Sequence, residues 1–265
     1  ALKAPSGALK AVLLCKATGV FCGGFLAEEV FKLLDPRARV TRFAKEGAMV
    51  KRGQKLLQVQ ARSGAVLAGE RTLLNLVCHL SGIATLTRRF VAAVGDKKAR
   101  ILETRKTTPL WRDLEKYAVI CGGGENHRMS LSDAVLVKDN HWRMAKKLGR
   151  SVIEAYGPRS SVRTGRRPVS FVAIEATNHR QVWQAIKARA DIILLDNMSE
   201  NRLKEAILFI KAARKASESD KPLIEVTGGV DLAKARRLAG LGVDRISVGA
   251  LTHSAPALDI SLEVV

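Results

Sequence analysis

The stretch Asp191-Ile-Ile-Leu-Leu-Asp-Asn197 is a short apolar run that ends in two polar residues. Its length and its branched side chains are typical of a strand buried in a parallel sheet. Similar apolar runs lie at 99–103, 134–138, 170–176, 222–226 and 243–248, with amphipathic helical segments between them. Repeated units of strand and helix therefore predict either a parallel α/β barrel or an open parallel sheet.

Nearly every one of these runs ends in polar residues or glycine. In a parallel barrel the carboxyl ends of all strands open on one face, so side chains that are distant in sequence meet there. The sequence thus predicts a site built from strand ends. Its candidate residues are Thr104, Arg105, Lys106, Lys138, Asp139, Asn140, Glu175, Asp196, Asn197, Thr227, Gly228, Gly229 and Gly249.

The remainder of the chain shows three further patterns. Residues 10–67 are typical of short strands and one helix, and a long helical pattern follows at residues 69–93. Residues 258–264 alternate between apolar and polar, as a half-buried strand does, and are expected to pair with the first domain. Residues 159–168 are basic and poorly patterned, which predicts a surface loop.

The composition favours a folded protein that attracts anions. Apolar residues make up 47% of the 265 residues, and no run is long enough to span a bilayer, so a soluble, cytoplasmic protein is expected. The net charge of +20 indicates anionic partners, whether substrate, phosphate or nucleic acid. The four cysteines form no CxxC pair, which argues against zinc and a disulfide framework and favours reduced, mostly buried thiols.

A group of basic residues predicts a binding site for a substrate with several carboxylates. Arg105 and Lys106 are adjacent and repel each other, so they need an anion; the arginine offers a planar fork and the lysine a point charge. Glycines at 122–124 permit close approach of the backbone to a ligand. Each signal alone also fits a solvated basic loop or an ordinary histidine. The group comprises Arg105, Lys106, His127, Arg128 and Lys138.

Two carboxylates and two glycine turns predict the binding of a polyphosphate. Glu175 and Asp196 lie near the ends of consecutive predicted strands and suit Mg²⁺, which prefers few protein oxygens together with water and phosphate. Either carboxylate alone also fits as a helix cap or as the partner of an arginine. Glycine turns after strands present backbone N–H groups to phosphate. These turns consist of Thr227, Gly228 and Gly229, and of Val248, Gly249 and Ala250.

Ordered motifs along almost the whole chain resemble those of the quinolinate phosphoribosyltransferase family, also called nicotinate-nucleotide pyrophosphorylase (carboxylating). The matching segments are Glu70-Arg-Thr-Leu-Leu-Asn75, Leu80-Ser-Gly-Ile-Ala-Thr85, Thr104-Arg-Lys-Thr-Thr-Pro109, Glu115-Lys-Tyr-Ala-Val119, Gly122-Gly-Gly-Glu-Asn-His-Arg128, Lys138-Asp-Asn-His141, Leu195-Asp-Asn197, Thr227-Gly-Gly229 and residues 247–254. Departures from the family's usual residues are Ala173 for an acidic residue, Thr227 for serine, and Leu110 and Ser130 for glycines. The family's Gly-Asp-rich N-terminal segment is expected to be missing.

The resemblance implies an N-terminal α/β sandwich at residues 1–76, to which residues 258–265 return, and an irregular α/β barrel at residues 77–257. This is the arrangement of type II phosphoribosyltransferases. The resemblance also implies a homodimer, or a higher oligomer, in which the sandwich of one subunit covers the barrel of the other. Arg71 would then reach across the interface to quinolinate in the partner's site.

The resemblance further implies an activity: quinolinate and phosphoribosyl pyrophosphate are converted to nicotinate mononucleotide, CO₂ and pyrophosphate in NAD biosynthesis. It implies that Arg105, His127 and Arg128 bind the quinolinate carboxylates, and that Lys106 and Lys138 lie between the two substrates. Glu175 and Asp196 would handle the ribose hydroxyls and Mg²⁺. The turns at 227–229 and 248–250 would hold phosphate.

Two other functions stay open from the sequence. A related enzyme on the same scaffold would act on another pyridine or another anionic acceptor, and release of CO₂ and pyrophosphate with quinolinate distinguishes the two. A nucleic-acid-binding protein would explain the charge of +20, but aromatic residues make up only 5% and the basic residues are dispersed. No specific nucleic-acid partner is therefore expected.

Overall fold

The computed structural model describes residues 7–147 and 170–265. The chain forms two compact units: the first comprises Ala1–Val91, Lys106–Asn126 and Gly249–Val265, and the second comprises Ala92–Arg105 and His127–Val248. Residues 159–168, predicted to form a surface loop, lie outside the described residues. Within the described ranges, no helix combines the length and the apolar composition that a membrane span requires.

The described residues form strands and helices that are numbered here in chain order. They are β1 (Ala8–Cys15), β2 (Gly19–Val20), α1 (Leu26–Leu34), β3 (Arg39–Arg42), β4 (Met49–Val50), β5 (Lys55–Arg62), α2 (Ser63–Val94), β6 (Arg100–Leu102), α3 (Arg112–Cys121), β7 (Val135–Val137), α4 (Asp139–Lys147), β8 (Val172–Ala176), α5 (His179–Lys187), β9 (Ile192–Asp196), α6 (Glu200–Ala216), β10 (Leu223–Thr227), α7 (Leu232–Gly240), β11 (Arg245–Ser247), α8 (Ala250–His253) and β12 (Ile260–Val264).

The first unit contains a four-stranded antiparallel sheet with the strand order β12-β1-β5-β3. The final strand β12 pairs with β1, so that Leu262 lies opposite Leu13, and β5 pairs with the other edge of β1. Apolar side chains of the sheet form one buried cluster with Phe31 of α1 and Leu73 of α2. Burial of this layer between sheet and helices is the main stabilising contribution to the unit.

The second unit contains six parallel strands in the order β6-β11-β10-β9-β8-β7. All six predicted runs form these strands, and every residue of β8 is buried, as expected for a sheet covered on both faces. In the part of the chain that the structure describes, the hydrogen-bonded sheet ends at β6 and β7, so the barrel is irregular. The predicted fold class, an α/β sandwich with an irregular α/β barrel, is confirmed.

Helix α2 runs through the predicted domain boundary between residues 76 and 77. Its buried side chains Leu73, Val77, Leu80 and Ala84 recur at helical spacing, so one apolar face continues across that point without a break. The compact units also assign Lys106–Asn126 to the first unit, although this segment lies far from the N-terminus in sequence. Contacts between segments, rather than chain order, set the bounds of the units.

Candidate active site

Four of the predicted site residues lie at the carboxyl ends of neighbouring strands in the second unit. Lys138 follows β7, Glu175 lies in β8, Asp196 ends β9 and Thr227 ends β10. Thr227 pairs in register with Asp196, and Glu175 pairs with Leu194. The sheet thus brings one lysine, two carboxylates and one hydroxyl to the same edge.

Lys138 and the two carboxylates interact at this edge. The Lys138 Nζ lies 3.8 Å from the Glu175 Oε2. Burial raises the pKa of Glu175; the charge of Lys138 opposes this shift, and the negative charges of Asp196 and Asp139 add to it. A Mg²⁺ ion offsets the repulsion between neighbouring carboxylates, and it takes few protein oxygens together with water and phosphate. Glu175 and Asp196 are therefore suited to hold Mg²⁺.

Two arginines of the second unit form a cationic pair. Arg105 follows β6, and Arg128 is buried, with only 8% of its surface exposed. Burial lowers the pKa of Arg128, the charge of Arg105 lowers it further, and Asp133 opposes the shift. The Arg128 Nη1 donates to the Ala134 O at 2.8 Å, whereas its buried Nε has no hydrogen-bond partner among the described residues. A bound anion would offset the repulsion between the two guanidinium groups and accept a hydrogen bond from the Arg128 Nε.

His127, predicted to bind a substrate carboxylate, makes contacts within the protein through both ring nitrogens. Its Nδ1 accepts a hydrogen bond from the Arg128 N at 2.8 Å, and its Nε2 lies 3.3 Å from the Glu225 Oε1. The His127 N donates to the Glu103 Oε1 at 3.0 Å. Both ring nitrogens therefore have protein partners, and a bond to substrate would require one of these contacts to break. In this arrangement His127 fixes the backbone of Arg128.

Sequence reasoning missed the carboxylate that faces His127. Glu225 is fully buried in β10, with the Arg245 Nε 3.1 Å from its Oε2 and the Ser247 Oγ donating to its Oε1. Burial raises the pKa of Glu225, but the hydrogen bond and charge of His127, the charge of Arg245 and the hydrogen bond from Ser247 lower it below its ordinary value. The only signal for this group in the sequence is a charged residue inside the apolar run at 222–226.

The turn after β10 requires glycine at Gly228. Its φ is +95°, and a Cβ built there would lie 2.1 Å from the Asn197 Oδ1. Asn197 itself is left-handed, with φ of +48°, and its Nδ2 donates to the Asp196 Oδ2 at 3.2 Å. The missing side chain therefore lets the turn approach the end of β9. Gly229 follows with φ of +53°, shortly before α7 begins, where backbone N–H groups suit a phosphate.

The second predicted phosphate turn, at residues 248–250, follows β11. The Val248 N donates to the Leu102 O at 2.8 Å, so this N–H belongs to the sheet and is not available to a phosphate. Gly249 precedes α8, whose first residue is Ala250, and both belong to the first unit.

The first unit also carries Arg71 and Lys106. Arg71 lies on α2 with 84% of its side chain exposed, and its Nε is 3.8 Å from the Glu70 Oε1. The Lys106 O accepts a hydrogen bond from the Thr252 Oγ1 at 2.7 Å, which fixes the backbone that carries the lysine side chain. The Arg71 guanidinium is therefore exposed on the surface of α2 in the isolated chain. A residue that contacts another subunit needs such exposure.

Leu110 occupies a conformation that favours the glycine common in the family. Its φ is +67° and its side chain is fully exposed, so no packing offsets the left-handed backbone. We expect Leu110→Gly to raise the free energy of unfolding by about 0.5–1 kcal/mol in urea titrations, because relief of strain outweighs the added chain entropy. Leu67→Gly, at a half-exposed position in α2, should instead lower it by about 1 kcal/mol. A loss of stability in Leu110→Gly would contradict the strain.

The fold defines an α/β barrel protein with charged and polar residues at the carboxyl ends of its parallel strands. The family model described as Quinolinate phosphoribosyl transferase, N-terminal domain, matches residues 1–81. The model described as Quinolinate phosphoribosyl transferase, C-terminal domain, matches residues 83–263. The chain belongs to the quinolinate phosphoribosyltransferase family.

Relatives and solved structures resemble the chain over most of its length. The nicotinate-nucleotide pyrophosphorylase (carboxylating) of Mycobacterium leprae is 42% identical over 226 residues, which cover 85% of this chain and 75% of the relative. A probable nicotinate-nucleotide pyrophosphorylase (carboxylating) of Bacillus subtilis is 36% identical over 255 residues, covering 96% and 83%. The crystal structure of NadC from Streptococcus pyogenes superposes with a TM-score of 0.85 at 36% identity, covering 98% of this chain and 87% of that one.

Proposed function

We propose that this chain is a quinolinate phosphoribosyltransferase. It joins quinolinate to the phosphoribosyl group of phosphoribosyl pyrophosphate and forms nicotinate mononucleotide, CO₂ and pyrophosphate, a step of NAD biosynthesis. The observation that carries the proposal is the pairing of Arg105 with the buried Arg128, whose Nε has no protein partner among the described residues. Two cations held together in this way suit an acceptor with two carboxylates. The names of the relatives, nicotinate-nucleotide pyrophosphorylase (carboxylating), support the same reaction.

The two arginines hold the carboxylates of quinolinate, and His127 acts through Arg128. The hydrogen bond from the Arg128 N to the His127 Nδ1 and the contact of its Nε2 with Glu225 anchor the backbone that presents the guanidinium. This geometry favours a positioning role for His127 over direct contact with the substrate. Preorganised donors of this kind hold a substrate without reorganisation during the reaction.

Phosphoribosyl pyrophosphate occupies the edge formed by the carboxylates and the glycine turn. Glu175 and Asp196 hold the ribose hydroxyls and would hold a Mg²⁺ ion, which would supply positive charge to the leaving pyrophosphate. The turn of Thr227, Gly228 and Gly229 holds phosphate, and the turn of Val248, Gly249 and Ala250 contributes to the same role. The close approach of Gly228 to Asn197 supports this role, because a side chain at Gly228 would collide with Asn197 and displace the turn.

The reaction needs positioning and charge rather than a nucleophilic side chain. The pyridine nitrogen of quinolinate attacks C1 of the ribose as the bond to pyrophosphate breaks, through a transition state with oxocarbenium character. Loss of CO₂ then leaves an electron pair on C2 beside the pyridinium nitrogen, and C2 takes up a proton from solvent. Lys106 and Lys138 lie between the two substrates and stabilise this charge. No covalent intermediate with the enzyme is required.

The active enzyme is a homodimer, or a higher oligomer, in the cytoplasm. Arg71 of one subunit completes the quinolinate site of the other, which agrees with its 84% exposed side chain. The charge of +20 serves the attraction of anionic substrates rather than specific binding to nucleic acid.

Incubation with quinolinate, phosphoribosyl pyrophosphate and Mg²⁺ tests the function. We expect equal amounts of nicotinate mononucleotide, pyrophosphate and CO₂, the last measured with carboxyl-labelled quinolinate. Nicotinate serves as the control acceptor, because it lacks the carboxylate at C2 and should react poorly. Turnover of nicotinate or another pyridine without turnover of quinolinate would favour the related enzyme on the same scaffold and contradict the proposal.

A further inference from the structure

Two cysteines and a glutamate from three separate segments of the first unit meet in one cluster. The Cys22 Sγ, the Cys121 Sγ and a carboxylate oxygen of Glu46 all lie within 4.8 Å of one another. Cys22 is fully buried, and the other two residues are half-buried. The cysteines are far apart in sequence, which argued against zinc, but the fold brings Cys22 and Cys121 close to each other.

Hydrogen bonds hold each member of the cluster in place. The Ser81 Oγ accepts from the Cys22 N at 3.0 Å and donates to the Cys22 O at 3.1 Å. The Gly23 N donates to the Glu46 Oε2 at 2.7 Å, which fixes the carboxylate. Cys121 is the last residue of α3, whose backbone hydrogen bonds fix its position. The three side chains are therefore preorganised by the backbone of three segments.

The carboxylate of Glu46 is incompletely satisfied. Its Oε1 is buried and has no hydrogen-bond partner within the described residues. A buried carboxylate oxygen without a partner is costly. A cation placed among the three groups would satisfy the oxygen and favour the thiolates.

We propose that Cys22, Glu46 and Cys121 bind one zinc ion, with water as the fourth ligand. Zinc takes thiolate and carboxylate ligands in a tetrahedron, and Zn–S bonds of about 2.3 Å place two sulfurs about 3.8 Å apart, within reach of this cluster. Binding releases the two thiol protons to solvent. A disulfide between Cys22 and Cys121 would leave the Glu46 Oε1 without a hydrogen-bond partner, whereas a bound cation would contact all three side chains.

Tyr117 supports the site from outside the ligand set. The hydrogen bond with Cys22 lowers the pKa of the Cys121 thiol, burial opposes the shift, and the Tyr117 hydroxyl lowers the pKa further. The Tyr117 ring packs edge-on against Phe25 with centroids 5.4 Å apart. A donor of this kind orients a thiolate ligand and typically contributes tenfold to a hundredfold to metal affinity. The site ties the segment after β2, the segment before β4 and the end of α3 to one another, so zinc should stabilise the first unit.

Cobalt titration of the reduced, chelator-treated full chain tests the proposal. We expect one equivalent of Co²⁺ to produce a thiolate-to-cobalt charge-transfer band and tetrahedral d–d bands, and Zn²⁺ to displace it. Cobalt bound at Glu175 and Asp196 gives no thiolate band, so the readout separates the two sites and does not depend on enzyme activity. Thermal unfolding should shift upward with Zn²⁺.

Variants of the ligands and of a remote cysteine provide the comparison. Cys22→Ser, Cys121→Ser and Glu46→Gln should each weaken cobalt binding by at least about 100-fold, and Tyr117→Phe by about tenfold to a hundredfold. Cys78→Ser, the same change at another half-buried cysteine, should leave the band unchanged. Glu46→Gln preserves shape, and circular dichroism checks that each variant is folded.

Two results would overturn the zinc site. One is the absence of a thiolate–cobalt band in the reduced wild-type chain, or a band that persists in Cys22→Ser and Cys121→Ser. The other is a Cys22–Cys121 disulfide found by mass spectrometry in a protein that binds no metal after reduction. The second result would show that the cysteine pair is a redox pair.

Discussion

Replacing Arg128 with alanine should raise the KM for quinolinate by about tenfold to a hundredfold, with a smaller effect on kcat. Burial lowers the pKa of the guanidinium, the charge of Arg105 lowers it further and Asp133 opposes the shift, and its Nε has no hydrogen-bond partner among the described residues. A bound carboxylate would therefore stabilise the guanidinium. Removal of the guanidinium eliminates a charge-assisted contact worth about 1.5–3 kcal/mol. Steady-state kinetics and calorimetric titration with quinolinate measure the change.

Three further variants define the origin of this effect. Arg128→Lys retains a charge but loses the planar fork, so it should recover only part of the affinity. Arg105→Ala should weaken quinolinate binding by a similar factor, since it removes the other member of the pair. Arg236→Ala, an exposed arginine on α7, should leave KM unchanged. An unaltered KM for quinolinate in Arg128→Ala would remove the arginine pair from the substrate site.

The second unit could be predicted closely from the sequence, because a parallel sheet covered by helices buries whole strands. The run at 170–176 contains such a strand, and all residues of β8 are buried. The boundary between the units could not be predicted in the same way. Apolar spacing continues through α2, and the return of Lys106–Asn126 to the first unit depends on contacts between distant segments.

In the candidate site, the sequence predicts which residues lie at the strand ends, but not which of their atoms are already hydrogen-bonded within the protein. The positions of Glu175, Asp196 and Thr227 could be predicted from the strand ends, because parallel strands share one carboxyl edge. The roles of His127 and Val248 depend on which hydrogen bonds the fold has already used, and sequence spacing carries no information about them. The Val248 N is bonded to Leu102 and the His127 Nδ1 to the next residue in the chain.

Mixed dimers of two inactive variants should recover activity if Arg71 serves the partner's site. Arg71→Ala removes an exposed guanidinium on α2, and Lys138→Ala removes the cation beside Glu175, so each variant alone should be nearly inactive. In a twofold dimer with interface sites, one of the two sites of a mixed dimer has both wild-type residues. Co-expression with two different affinity tags and tandem purification should therefore yield about half of the wild-type activity.

The reciprocal pairing separates an interface site from a site within one subunit. A mixed dimer of wild type with the double variant Arg71→Ala, Lys138→Ala has the arginine and the lysine on the same chain. With interface sites, neither of its sites is complete, and activity should fall to the level of the single variants. With sites inside one subunit, the results reverse: this pairing keeps about half of the activity and the pairing of single variants keeps none. The two pairings therefore determine which subunit supplies Arg71.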